Sequence, residues 1–358
     1  MGRPTIPPPS QGFDYYEPAV QLAMRDFVRP GNLVFDVGAN IGGIAVVASR
    51  LVGSLGSVVA IEPSMRVLPE LITNIQSWRA RNVTIDVRAA WSQSDASIGF
   101  YHGWSHVADS AIINLGKEKP DQTVTTVALD DLVAEQGRAP QFVKFDVEGA
   151  EGEALKGFEK TIAQSPPVIV VEMNVGDHAF AQKMVDYGYT LFDTSTYRQF
   201  EADPTTSRLC NLLALPNSRA GQVAAMKALR PALLKTLTGK DWIADSESPC
   251  LPLGELPSGR YVLKLKHLAP NAGAQEIAEL VILTTDPARM LSLHIAPWTE
   301  FIPGNLSHPF NISRPGKAFL RIKRRTLQQV NEMIEGVELY EIKSSAMKLP
   351  WRSNRLLG

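Results

Sequence analysis

From residue 13 to about 215, short β-branched runs alternate with stretches in which apolar residues recur every three to four positions. The runs predict strands at 32–37, 57–61, 83–88, 141–146 and 167–172, and the periodic stretches predict helices at 17–28, 42–52, 64–78 and 150–163. Further pieces at 189–193 and 211–215 would extend one edge of the same sheet. Strands that alternate with helices imply a largely parallel sheet covered on both faces, so residues 13–215 read as a doubly wound α/β domain.

The pattern changes after residue 215. "AGQVAAMKALRPALLKTL" reads as a connecting helix and "DSESPCLPLGELPSG" as a linker, together 216–257. Beyond them "RYVLKLKHL", "AELVILTT", "MLSLHIA", "KAFLRIKR" and "GVELYEI" predict strands without long helices between them, an antiparallel β-sandwich over 258–343. Residues 1–12 read as a flexible proline-rich leader and 344–358 as a basic tail. The 358 residues suffice for two separate cores.

Composition narrows the partners. With 44% hydrophobic and 20% charged residues and a formal net charge of −1, the chain lacks the basic excess of a nucleic-acid binder. No apolar run reaches the roughly 18 residues that a membrane-spanning helix needs. The two cysteines, Cys210 and Cys250, fit neither a metal-ligand spacing nor a disulfide framework, so the expected compartment is the cytoplasm.

Candidate chemistry begins at "VFDVGANIGG", residues 34–43. In a parallel sheet the ligand crevice lies beyond the carboxyl ends of the strands, and the first strand-to-helix turn supplies its floor. Gly38 and Gly42 let backbone approach a ligand, Asn40 offers an uncharged hydrogen bond, and Asp36 places an acid in the motif. The second strand ends at Glu62 and Pro63, where a carboxylate suits two ribose hydroxyls and repels a 2′-phosphate. The spacing D-x-G-x-N-x-G differs from the dinucleotide G-x-G-x-x-G, and an acid there would crowd a pyrophosphate. A cationic, ribose-bearing ligand, S-adenosylmethionine, fits better. The third strand end, Ala89 to Ser92, would then lie beside the adenine, with Ala90 and Trp91 as contacts.

Residues 141–157, "QFVKFDVEGAEGEALKG", follow "TVTTVALDDLVAEQG". Here the chain resembles the FkbM family of S-adenosylmethionine-dependent methyltransferases, in which T-x-x-L-D-x-L precedes K-x-D-x-E-G-x-E. The matching residues are Thr126, Leu129, Asp130 and Leu132, then Lys144, Asp146, Glu148, Gly149 and Glu151, with "VIVVEMN" at 168–174 as the fifth strand. The resemblance covers about residues 30–195. It implies a Rossmann-like class I methyltransferase fold and methyl transfer to the hydroxyl of a sugar, glycan or glycosylated natural product. A non-sugar hydroxyl or an amine is the alternative acceptor, and a non-catalytic glycan-binding module the alternative class.

Removing a hydroxyl proton as the new bond forms calls for a base. Asp146 is the first candidate, both for catalysis and for contact with the donor. Glu148 is the second, if the strand continues far enough for alternate residues to share a face. His102 and His106, in the segment "FYHGWSHVADSAI" that reads as a loop over the site, come next. Glu151 suits helix-terminal amides, and Lys144 suits pairing with a nearby carboxylate. The three acids could together hold a divalent cation, although the reading without metal is preferred. The run "NISRPGKAFLRIKRR", 311–325, has six Lys or Arg and no acid, which suits a solvated face, an anionic glycan or an anionic membrane surface. Self-association into a homo-oligomer stays open.

Overall fold

The computed structural model describes residues 17–102, 110–111, 119–173, 178–194, 198–200, 210–243, 249–267, 278–284, 290–295, 305–312, 315–322, 328, 330 and 334–344. The expected leader, His106 and the expected tail beyond Ser344 lie outside them. The chain divides into two compact units, one built on Ala23–Thr194 and Gln199–Ala224 and the other on Ala225–Gly358 together with Asp14–Leu22 and Ser195–Arg198.

In chain order the elements begin with helix α1 (Pro18–Phe27), strand β1 (Leu33–Val37), helix α2 (Gly43–Val52), strand β2 (Ser57–Ile61), helix α3 (Leu68–Ser77) and strand β3 (Val83–Asp86). Four short strands follow: β4 (Ala89–Ala90), β5 (Ser97–His102), β6 (Ser110–Ala111) and β7 (Gln122–Val127). Then come α4 (Leu129–Gln136), β8 (Phe142–Phe145), α5 (Glu151–Lys156), α6 (Glu159–Gln164), β9 (Val168–Met173), α7 (His178–Asp186), β10 (Tyr189–Asp193) and β11 (Cys210–Pro216). The main sheet has the order β10-β11-β9-β8-β1-β2-β3, and β11 alone runs antiparallel to its neighbours. Strands β1 and β8, at its centre, are buried throughout, as apolar runs between two helix layers must be. Leu33, Phe35 and Val37 join Val143, Phe145, Ile169 and Val171 in the core on one face. Alternation turns Asp36 and Lys144 to the other face, where register sets them side by side.

Two expectations change in this unit. The helix over 150–163 is broken into α5 and α6 at Gly157, where a Cβ would stand 2.0 Å from the Trp91 carbonyl oxygen. The loop expected around 100–112 instead contributes β5 and β6 to a small sheet of order β4-β7-β5-β6.

The T-x-x-L-D-x-L segment fastens that sheet to the helices. The Thr126 hydroxyl donates to the Gln93 carbonyl at 2.7 Å and accepts from the Ala96 amide at 3.0 Å. Leu129 and Leu132 are buried in the main core. Asp130 accepts from the Lys160 amide at 3.0 Å, the Thr161 amide at 2.8 Å and the Thr161 hydroxyl at 2.7 Å, capping the first turn of α6.

The second unit includes β12 (Leu229–Thr238) after α8 (Ala220–Ala228), then β13 (Cys250–Leu256), β14 (Gly259–His267), β15 (Ala278–Thr284), β16 (Met290–Ile295), β17 (Asn305–Ile312), β18 (Gly316–Ile322) and β19 (Ile334–Ser344). They form two antiparallel sheets, β12-β19-β14-β17 and β13-β18-β15-β16. Leu251, Leu253 and Leu320 from one sheet share a core with Tyr261, Leu263, Phe310 and Leu339 from the other, which makes a β-sandwich. The expected helix and linker over 216–257 are therefore corrected in part: the helix ends at Ala228, and β12 and β13 occupy much of the remainder. Of the basic run, Lys317 is exposed while Ala318 and Leu320 are buried.

Replacing Asp130 with alanine removes three hydrogen bonds from the start of α6. The expected cost is about 1 kcal/mol, within the range for losing a helix cap, and Asp130→Asn should recover most of it. Urea denaturation followed by circular dichroism measures this; equal midpoints for the wild type and Asp130→Ala would show that the cap contributes nothing.

Candidate active site

The turn after β1 adopts its shape because two glycines carry positive φ, 83° at Gly38 and 86° at Gly42, with Asn40 also left-handed at 49°. A Cβ on Gly38 would lie 1.7 Å from the Asp146 carbonyl oxygen, so only glycine lets this turn pass the end of β8. A Cβ on Gly42 would come within 2.6 Å of the Leu71 side chain. The Gly38 and Ala39 amides both donate to the Ile61 carbonyl, at 2.9 and 3.0 Å, which ties the turn to the end of β2.

Glu62, buried just beyond β2, accepts from the Asn40 amide and from the Ser64 amide, each at 2.8 Å. Burial pushes its carboxyl up to about 7, against these two bonds; Asp146 adds to the rise and Lys144 opposes it. The carboxylate faces an open cavity beyond the carboxyl ends of β1, β2 and β8.

Asp146 lines the same cavity from the end of β8. Its Oδ2 lies 2.8 Å from the buried Lys144 ammonium. Burial opposes ionisation of Asp146, yet the Lys144 ammonium beside it holds its carboxyl below the usual carboxylate range. Strand β8 stops at Phe145, so the alternation that would carry Glu148 onto the Asp146 face does not reach it. Glu148 instead sits exposed in a left-handed turn with φ 52°, followed by Gly149 at φ 97°, on the cavity rim. Glu151 is buried, and its Oε1 accepts from the Val147 amide at 3.1 Å and the Gly149 amide at 3.3 Å. Burial raises its carboxyl despite those bonds. The three acids are thus engaged separately, and among the described residues no group of three or more His, Cys, Asp or Glu is arranged to hold a metal ion.

The structure brings Gly38, Asn40, Glu62, Pro63, Ala90, Asp146 and Glu148 to the cavity wall. Asp36, Gly42 and Trp91 are not in that wall: Asp36 is buried within β1, and Trp91 presents its carbonyl to Gly157. The apolar part of the wall comes from Ile61, Val67, Ala89 and Phe100. His102 lies two residues along β5 from Phe100, ring edge to ring face at 5.6 Å, with its amide bonded to Asp121 at 2.8 Å. Gln122 steadies this side by donating to the Pro63 carbonyl at 2.6 Å and accepting from the Met65 amide at 3.1 Å. Sequence reasoning missed Phe100 because 100–112 read as a loop; the alternation in "SIGFYH" is the signal that finds it.

A seven-stranded sheet of this order with one reversed strand, and a glycine turn and a buried acid at its carboxyl edge, defines a Rossmann-like methyltransferase fold. Residues 36–198 match the family model of the methyltransferase FkbM domain. The hexuronic acid methyltransferase AglP of Haloferax volcanii is 34% identical over 147 residues, which span 40% of this chain and 57% of that protein. Among solved structures, a methyltransferase FkbM from Methylobacillus flagellatus aligns at 17% identity and a TM-score of 0.36, over 54% of this chain and 50% of that one. Aeropyrum pernix fibrillarin with bound S-adenosyl-L-methionine aligns at 11% identity and a TM-score of 0.36, over 57% and 76%.

Glu62 makes folding depend on pH in a definite direction. Its folded value of about 7 lies above the ordinary 4.5, so its contribution is fully present below that ordinary value and is lost as pH rises through about 7. Glu62→Gln stays neutral throughout. The unfolding free energy of the wild type relative to Glu62→Gln should therefore fall by roughly 3 kcal/mol between about pH 4.5 and 8. Urea titrations across that range give the difference, and a flat difference would mean that Glu62 ionises as it does in solvent.

Proposed function

We propose that this chain is an O-methyltransferase that uses S-adenosylmethionine to methylate a hydroxyl of a sugar, glycan or glycosylated natural product. The observation that carries the reading is the meeting of Gly38, Glu62 and Asp146 at one cavity. The donor fits the residues present: bare backbone at Gly38 leaves room for it, the Glu62 carboxylate suits two ribose hydroxyls, and Ala89, Ala90 and Phe100 offer an apolar wall to an adenine. Bound there, S-adenosylmethionine would supply an electrophilic methyl group and leave as the neutral thioether S-adenosylhomocysteine.

Asp146 does the acid–base work. Ionised at neutral pH, it accepts a hydrogen bond from the acceptor hydroxyl and aims the oxygen lone pair at the methyl carbon. A carboxylate held below its ordinary range is a weak base, so it takes the proton as the new C–O bond makes that oxygen acidic. Lys144 keeps Asp146 charged until then. The sugar assignment draws on the relative that acts on hexuronic acid. A hexuronic acid also has a carboxylate, whose methylation would need no base; Asp146 at the cavity favours the hydroxyl.

Calorimetry should show S-adenosylhomocysteine binding to the wild type, weakened about tenfold or more in Glu62→Ala as its charge-assisted ribose bonds are lost. Against a panel of sugars that includes a methyl glucuronoside, Asp146→Asn should slow turnover roughly a hundredfold with donor affinity retained. Alkali-stable product identifies an ether and alkali-labile product an ester. Turnover only with amines, or none with any sugar, would remove the sugar reading.

A further inference from the structure

We infer that Gln122 is a positioning residue for the donor: its side-chain amide holds the stretch Pro63–Met65 so that the Ser64 amide fixes one oxygen of the Glu62 carboxylate for the ribose. This role rests on the ribose-binding reading of Glu62 proposed above.

The backbone groups from the Pro63 carbonyl to the Met65 amide are all paired. The Pro63 carbonyl accepts from Gln122 Nε2 at 2.6 Å, and the Met65 amide donates to Gln122 Oε1 at 3.1 Å. Between them the Ser64 amide donates to Glu62 Oε1 at 2.8 Å, while the Ser64 carbonyl accepts from the Val67 and Leu68 amides at 3.2 and 3.1 Å. The Gln122 amide thus takes the place of a peptide group of a neighbouring strand, donating to one residue and accepting from another with Ser64 in the middle. Only one orientation of that amide serves both bonds, since the flipped one would set its NH₂ against the Met65 amide and its oxygen against the Pro63 carbonyl. Ser64 is fully buried, so water does not replace Glu62 as the partner of its amide.

Gln122 is itself fixed. It pairs in register with Phe100 across β5 and β7, and the neighbouring Asp121 amide donates to the Phe100 carbonyl at 3.0 Å. Phe100 and Val124 are buried together with Ala89 in a core of their own. One residue therefore joins the apolar wall at Phe100 to the turn at Pro63, and both of these line the cavity. The other Glu62 oxygen, Oε2, accepts from the Asn40 amide at 2.8 Å. The carboxylate is held by two separate segments, and each of its oxygens keeps a lone pair for a ribose hydroxyl. The Asn40 side is set by the crossing at Gly38, and the Ser64 side by Gln122. Without Gln122 the Pro63 carbonyl loses its donor in a part-buried position, whereas Met65, 60% exposed, can turn its amide to water.

Gln122→Met keeps the length of the side chain and lacks both bonds. Calorimetry on the full chain with S-adenosylhomocysteine should show binding about three- to tenfold weaker in Gln122→Met than in the wild type. Added to Glu62→Ala, the same substitution should change affinity by less than about twofold, because the group it positions is gone. Equal losses in the two backgrounds, as a general loosening of the fold would give, or wild-type affinity in Gln122→Met, overturn the role. A second readout needs no ligand. The carboxyl carbon resonance of Glu62, assigned by its absence from Glu62→Gln, should titrate at about 7 in the wild type. The Ser64 amide bond lowers that value, so the midpoint should move higher in Gln122→Met. An unmoved midpoint shows that Gln122 does not hold Glu62 and overturns the role as well. If S-adenosylhomocysteine fails to bind the wild type while the midpoint moves as expected, the donor reading fails and the hold of Gln122 on Glu62 stands.

Discussion

The site depends on one close approach: the Asp146 carbonyl passes where a side chain on residue 38 would have to be. Because residue 38 is glycine at positive φ, the turn after β1 can fold over the end of β8 and reach the end of β2. From that crossing the Asn40 amide is carried to Glu62, and the Asp146 amide to the Val37 carbonyl at 3.0 Å. A side chain at 38 would move both carboxylates at once, because the segments that hold them meet at this point.

Around that crossing the sheet edge buries acids with few cations to offset them. Glu62 and Glu151 are held by backbone amides, Asn40 and Ser64 for one and Val147 and Gly149 for the other. Amide donors stabilise a carboxylate without adding a charge that a cationic ligand would have to displace. The K-x-D-x-E-G-x-E segment is thereby resolved into parts. Lys144 pairs with Asp146, Glu148 and Gly149 make the left-handed turn that ends the strand, and Glu151 reaches back to bond the amides of that turn.

Much of this was legible in the sequence. The parallel strands could be read because apolar runs buried on both faces have no polar positions to confuse the pattern, and the glycine turn and Glu62 followed from their spacing. What the sequence hid has physical causes. Three strands of the sandwich, β12, β13 and β17, went unread; each contains a proline, Pro231, Pro252 and Pro309, and each lies at the edge of its sheet. An edge strand tolerates a residue without an amide because one side of it needs no partner, so the mark of a turn became the mark of an edge.

The residues most diagnostic of the family are mainly structural. Asp130 caps α6, Thr126 closes the small sheet, and Leu129 and Leu132 lie in the core. Of the signature, Asp146 and Glu148 reach the cavity wall. Methyl transfer needs a scaffold that fixes donor and base within a fraction of an ångström, and such a scaffold can be common to many acceptors. Outside those segments the wall comes from the turn after β1, from the end of β2 with Val67, and from Ala89, Ala90 and Phe100, with His102 packed against the Phe100 ring. Gln122 binds that side to Pro63 and Met65 without touching the signature residues, so the β5 wall can change its side chains while Gly38, Glu62 and Asp146 stay in place.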